Sequence, residues 1–253
     1  MKISEEKWLQ YLLKLRRIND EATQKVEIYL ITHGMPETDA AMNALIQYAY
    51  SVQAKYGEAA AEIAARMFDN VAIASHINIP PAVPAETATY QEVAKTITGT
   101  VKTGNQEIVS ASVGRLVKRT GVDTTMRNAI EYGAEVAWIP HGDTCAFCIM
   151  LASNGWQKVS KRTAKRGHAQ HIHANCDCTY AVRFDGESNV EGYNPGEYLS
   201  MYDSAEGSRW QDKVNSMRRE FYQENREKIL QQKRDLYARN KALNSSAAEE
   251  VEV

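Results

Sequence analysis

The run Trp138-Ile-Pro-His-Gly-Asp-Thr-Cys-Ala-Phe-Cys148 divides this 253-residue chain into a helical front and a short-stranded, cysteine-bearing lobe. All four cysteines lie between Cys145 and Cys178, and four of the six histidines (His141, His168, His171, His173) fall in the same stretch. Where no secretory signal precedes them, clustered Cys and His point to metal or redox chemistry before disulfides. Val136-Ala-Trp-Ile-Pro140 reads as a short strand leading into the cluster. Thr179-Tyr-Ala-Val-Arg-Phe184 alternates like another strand leading out of it.

Upstream of the cluster the chain reads as helices. Trp8, Tyr11, Leu12, Leu15 and Ile18 recur at three- and four-residue steps, the period of an amphipathic helix. His33-Gly-Met-Pro36 interrupts it, and Thr38 or Asp39 caps the next helix, whose common face carries Ala41, Leu45, Tyr48 and Val52. The alanine-rich run after Gly57 reads as a third helix in close helix–helix contact. Three of the six prolines lie between Pro80 and Pro84 and stop helix there, which predicts a linker or sharp turn between subdomains. From Thr89 to about Ala137 a weaker helical pattern returns, with an expected break at Thr120-Gly-Val-Asp-Thr-Thr125 and a cap at Asp123 or Thr124.

Downstream, Asp185–Pro195 is rich in turn residues, and Ser208–Leu243 reads as one long charged helix. Trp210, Val214, Met217 and Phe221 form one stripe on it, and Tyr222, Ile229, Leu236 and Leu243 recur every seven residues beside Leu230 and Tyr237. Residues 209–241 hold ten Lys/Arg and five Asp/Glu, a local charge of +5. The predicted class is therefore α+β, mostly α-helical. Its parts are a helical N-terminal region (1–78), a linker and second helical segment (79–137), a Cys/His zinc-binding lobe (138–185), a turn-rich segment with the long helix (186–243), and a disordered acidic tail (244–253). The formal charge of −2 does not demand nucleic acid as a partner. Acids near the N-terminus, with no run of about 20 apolar residues, speak against secretion and a membrane span.

The cluster consists of Cys145-Ala-Phe-Cys148 and His171-Ile-His-Ala-Asn-Cys-Asp-Cys178. A C-x2-C turn presents two sulfurs to one ion, and a structural zinc takes four N/S ligands in a tetrahedron. His173 and Cys176 repeat the same spacing, so the leading set is Cys145, Cys148, His173 and Cys176. Cys178 is a substitute for either member of the second pair, and spacing leaves that choice open. A structural zinc, which contributes on the order of 10 kcal/mol to folding, would staple the excursion between the two pairs. The plain alternative is a set of buried, reduced thiols.

Three catalytic readings compete. A zinc deaminase needs His-x-Glu upstream of Pro-Cys-x-x-Cys, and here Thr144 precedes Cys145 while neither His33 nor His76 is followed by x-Glu. A thioredoxin-like redox pair would leave the second cysteine pair idle. A zinc-stapled HNH-like nuclease built around His171, His173 and Asn175 has Asp177 as its only neighbouring carboxylate. It stands as the enzymatic rival. The basic run Lys158, Lys161, Arg162, Lys165 and Arg166 offers a DNA-binding module without chemistry, although such runs are more often solvated loops. His33 and His76 are isolated packing or surface residues.

Trp138 to Cys148, continued by Ile-Met-Leu-Ala-Ser-Asn-Gly155-Trp, and then His173-Ala-Asn-Cys-Asp-Cys178-Thr, resembles the tailed-phage minor head protein family. These are the Mu F-like head morphogenesis proteins, marked by a His-x-Asn-Cys-x-Cys element and often an upstream Cys-x-x-Cys. The helical front, with Tyr56-Gly-Glu-Ala-Ala-Ala-Glu-Ile-Ala and Phe68-Asp69, is similar to members from phages of Gram-positive hosts, so the resemblance spans about residues 40–185. Ala174 stands where the family often has Pro, and residues 186–253 hold no toxin-like domain of the kind some members carry. The resemblance implies a non-enzymatic, low-copy virion protein bound inside the capsid after assembly in the host cytoplasm. Its implied partners are the portal protein, the major capsid protein or both, with phage DNA as a further candidate.

Overall fold

The computed structural model describes residues 5–141, 144–160, 178–228, 230, 231, 234 and 235. Four long helices lead: α1 (Glu5–His33), α2 (Asp39–Ala74), α3 (Tyr90–Val101) and α4 (Gln106–Tyr132). They are followed by β1 (Glu135–Ile139), α5 (Ala146–Ala152), β2 (Gln157–Lys158), β3 (Thr179–Arg183), α6 (Pro195–Ser204) and α7 (Trp210–Glu224). The fold is α+β and mostly helical, as the sequence predicts, with one small antiparallel sheet in the order β2-β1-β3.

Local chemistry sets the helix ends. The Thr38 hydroxyl accepts from the Ala41 N–H at the start of α2. Thr89 and Glu92 exchange bonds in a capping box on α3, and Asn105 accepts from the Glu107 and Ile108 N–H groups on α4. Gly133 closes α4 at φ 69°, a left-handed conformation in which a side chain would be strained.

Two expected helix breaks are absent. α2 runs unbroken through Gly57, and α4 runs unbroken through Thr120–Thr125. Within α4 the hydroxyls of Thr120, Thr124 and Thr125 each bond the carbonyl one turn back, so these residues satisfy themselves inside the helix. Small residues there allow close approach. A Cβ on Gly121 would just touch the Ala60 carbonyl oxygen of α2, 3.4 Å away, and a side chain on Gly114 would collide with Thr23 and Asn19 of α1. Burial of α4 against α1 and α2 outweighs the weak helix propensity of its Gly, Ser and Thr.

The proline segment is a fastened strap rather than a loose linker. Its Ala82 N–H donates to Asp69 of α2 at 2.8 Å, and its Ala85 N–H donates to Thr124 of α4 at 2.9 Å. Asn128 of α4 both accepts from the Val83 N–H and donates to the Val83 carbonyl, each at 2.9 Å.

β1 and β3 are buried on both faces, whereas both residues of the edge strand β2 are exposed. Val136, Trp138, Tyr180 and Val182 join Phe68 of α2 and Met126 of α4 in one core. Ala137, Ile139 and Ala181 meet Trp8, Tyr11 and Leu12 of α1 on the other side. A third core, with Leu30, Leu45, Val93 and Val113 among its members, ties α1 to α4 together.

The C-terminal region differs from its sequence reading in two respects: a helix forms before Ser208, and the expected long helix is interrupted at Asn225, whose backbone (φ −104°, ψ 9°) leaves the helical range. The helix α6 forms at the end of the turn-rich segment, opened by Pro195 in its first turn and capped by Asn194. Of the expected long helix, Trp210–Glu224 is α7, and residues 226–228 are again helical. Leu236 to Leu243 and the tail lie outside the described residues.

Replacement of Gly114 by Val should lower stability by about 1–3 kcal/mol through overpacking. Gly99→Ala, on a part of α3 where an added Cβ meets nothing within 4 Å, should raise stability by up to about 1 kcal/mol. Urea denaturation midpoints of the full chain test both signs.

Candidate metal centre

The β1–β3 register decides where the cysteines lie. Ile139 pairs with Thr179, so the chain leaving β1 toward Cys145 departs beside Cys178, at one end of the sheet. The sulfur of Cys178 sits 4.0 Å from the His141 carbonyl oxygen. Cys145 is the N-cap residue of α5 and Cys148 lies in its first turn. Cys148 and Cys178 are buried in the core that contains Trp138 and Phe68, and Cys145 packs partly buried against it. Three of the five sequence-derived candidate ligands are thus gathered around one core. His173 and Cys176, like His168, His171, Asn175, Asp177 and the Lys161–Arg166 part of the basic run, lie outside the described residues.

Two tyrosines line this end. Burial pushes the Tyr180 hydroxyl well above its ordinary range, and negative charge at Cys148 adds to the effect. Burial also raises Tyr198 of α6, with Cys178 contributing next. Both tyrosines are therefore neutral at physiological pH, with Cys148 near the Tyr180 phenol and Cys178 near that of Tyr198.

The rest of the chain holds α5 in place. The Tyr193 hydroxyl donates to the Ala152 carbonyl at the end of α5, 2.7 Å away. From the other side α7 contributes Val214 and Met217, which pack with Ala146 and Ile149 of α5, Phe221 adding to the edge. Ala146 stands between the two knuckle cysteines, so the C-terminal helix rests directly on the knuckle. Sequence periodicity found the α7 stripe but not its partner, because a stripe records only that a face is covered. The contributions of Tyr193 and Tyr198 carried no motif.

The β3 end is secured by charge. Arg183 bonds Glu135 at 2.6 Å across β1, donates to the Ser188 carbonyl, and stacks its guanidinium over Trp156. The Asp185 carboxylate is held well below the usual range, first by the Ser188 hydroxyl and also by the Ser188 and Glu187 N–H groups.

Soft sulfur donors in a C-x2-C turn are what zinc takes in structural sites, so the chemistry of Cys145, Cys148 and Cys178 fits that ion. Among the described residues, no three His, Cys, Asp or Glu side chains close into a metal-ligating group by themselves. A complete set on this chain therefore draws on His173 or Cys176.

A family model matches residues 2–205, a span that takes in every element from α1 through α6. The chain belongs to the VG15 protein family. This is a phage protein family, and it accounts for the helical body, the sheet and the knuckle together. The matched residues end before α7. No curated protein and no solved structure matches the chain.

Met217→Ala should loosen α7 from α5 while leaving α1–α4 intact. Truncating a buried Met costs about 2 kcal/mol or more, so trypsin should cut at Arg218 and Arg219 at least about tenfold faster. Cleavage within α1 should keep its wild-type rate.

Proposed function

We propose that this VG15-family chain is a phage minor capsid protein that acts at the portal inside the head, in capsid assembly and in the packaging or ejection of DNA. The observation that carries the reading is the burial of the knuckle: Cys148 and Cys178 are buried, and Cys145 partly buried, in the core that holds Trp138 and Phe68, with α7 packed on Ala146 and Ile149 of α5. A cysteine group packed into a core and covered by a helix suits a staple better than a reaction centre. The phage family and the resemblance of Trp138–Trp156 and His173–Thr179 to minor head proteins point the same way. On this reading a structural zinc is held by Cys145 and Cys148 with two of His173, Cys176 and Cys178. When bound, it supplies cross-linking rather than chemistry, and the portal protein or the major capsid protein is the partner.

Two measurements test the proposal. Quantitative mass spectrometry of purified virions should find this chain at a copy number equal to or below that of the portal protein. Its complete absence from filled particles would overturn the minor-head reading. Elemental analysis of the purified full chain should find one zinc per chain, lost in both Cys145→Ser and Cys148→Ser, with a marked fall in melting temperature. A metal-free chain of unchanged stability would leave the knuckle as plain packed thiols.

A further inference from the structure

We infer that the outward face of α6 is a docking surface for a basic, amphipathic helix of a partner protein. The inference goes beyond the minor-capsid reading and does not rest on it.

This helix is apolar without being buried. Tyr198, Leu199, Met201 and Tyr202 make four of its ten residues large and apolar, yet none of the ten is fully buried. Successive residues turn by about 100° around a helix, so the four do not share one face. Tyr198 and Tyr202 take the inner side, where they pack on the core formed by α5 and α7. Gly196, Ser200 and Ser204 recur every four residues on the opposite side, and all three are exposed. Glu197 and Met201 border that small-residue stripe on one flank, and Leu199 and Asp203 border it on the other. Leu199 is 46% exposed and Met201 44%.

Each part of the face suits a second helix laid along it. The small residues let a neighbouring backbone come close, and the apolar side chains on both flanks close over its sides. The Ser200 hydroxyl donates to the Gly196 carbonyl at 3.0 Å and the Ser204 hydroxyl to the Met201 carbonyl at 2.9 Å, so covering the stripe leaves both satisfied. The helix is also held from behind. Tyr198 stacks on Tyr193, and Lys213 of α7 bonds the Tyr202 carbonyl and sits over the Tyr202 ring. A surface already fixed in this way loses little freedom on docking. Ten residues give about 15 Å of helix, which places the contact among small, transient interfaces.

Charge selects the partner. Residues 184–208 hold six acids (Asp185, Glu187, Glu191, Glu197, Asp203 and Glu206) and no Lys or Arg, and all six are exposed. Lys213 reaches Asp203 at 3.6 Å from outside that segment, whereas Glu197 and Glu206 make no ion pair among the described residues. Such a surface repels nucleic acid and anionic lipid. A second copy laid face to face on α6 would set acid against acid on both flanks. Glu197 and Asp203 stand on opposite sides of the stripe, so the charge is spread along a helix-sized surface rather than focused on one cation. A helix with Lys or Arg on both sides of a small apolar stripe meets all of these demands, in the way charged flanks choose partners in coiled coils.

The test is fluorescence anisotropy of the full chain with a labelled synthetic helix of about 18 residues, carrying an Ala/Leu stripe flanked by Lys. It should bind the wild type, and the same peptide with Glu for Lys should not. Glu197→Lys together with Glu206→Lys should weaken binding at least about tenfold by opposing like charges. Ser200→Gln fills the stripe without changing charge and should also weaken binding at least about tenfold. All three positions are exposed, so both variants should keep the wild-type melting temperature, which separates loss of the face from loss of the fold. The inference is overturned if the striped peptide does not bind, if a scrambled peptide of the same composition binds as tightly, or if Ser200→Gln binds like the wild type. Sedimentation showing that the wild type pairs with itself, and that Ser200→Gln abolishes the pairing, would assign the face to a second copy and overturn the partner reading as well.

Discussion

The rest of the structure depends on the burial of α4 by everything around it. Its Gly121 lies against the Ala60 backbone of α2 and its Gly114 against the Thr23 and Asn19 side chains of α1, and its Val109, Val113 and Val117 sit in the core shared with α3. Val122, Met126 and Ala129 continue into the core that holds the sheet and the cysteine knuckle. One helix therefore joins the helical front to the lobe. Its polar residues do not work against that burial. Ser112, Thr120, Thr124 and Thr125 return their hydroxyl protons to their own helix, and Asn128 spends its amide on the strap. A buried polar group with its bonds made costs little, whereas the same group unpaired would cost a kilocalorie or more.

The same feature explains what sequence could and could not show. Amphipathic helices such as α1 announced themselves by a stripe, and the caps at Thr38 and the closed run at Pro80–Pro84 followed from side-chain chemistry. The two strands flanking the cysteines were legible because buried apolar runs bounded by Pro and turn residues leave few alternatives. α4 was misread as interrupted because a helix buried on most sides has no stripe, and Thr120-Gly-Val-Asp-Thr-Thr125 looks like a turn until the neighbours that favour it are present. α2 appeared to be two helices for a similar reason: Gly57 weakens a helix in isolation, yet here it leaves room for Gln53, Thr87 and Thr120.

The candidate centre was legible to a comparable depth. The C-x2-C spacing identified Cys145 and Cys148 as a pair, and the strand at Thr179 placed Cys178 near them once the antiparallel register was known. Pairing between strands is a long-range property, so spacing alone could not rank Cys178 against Cys176 or His173. The phenol groups of Tyr180 and Tyr198, the Tyr193 bond to α5 and the cover supplied by α7 belong to the packing around the centre. None has a motif of its own.

The strap joins α2 and α4 mechanically. Asp69 on one helix and Thr124 and Asn128 on the other grip Ala82, Ala85 and Val83 of the same short segment. Sliding one helix past the other by a turn, about 5.4 Å, would tear every one of these bonds at once. The front of the molecule therefore carries load as a single block. The connection between α6 and α7 turns at Gly207, at φ 127°, and is fastened by Lys213, which bonds the Tyr202 and Asp203 carbonyls, so force on the C-terminal helix passes to α5 and its cysteines.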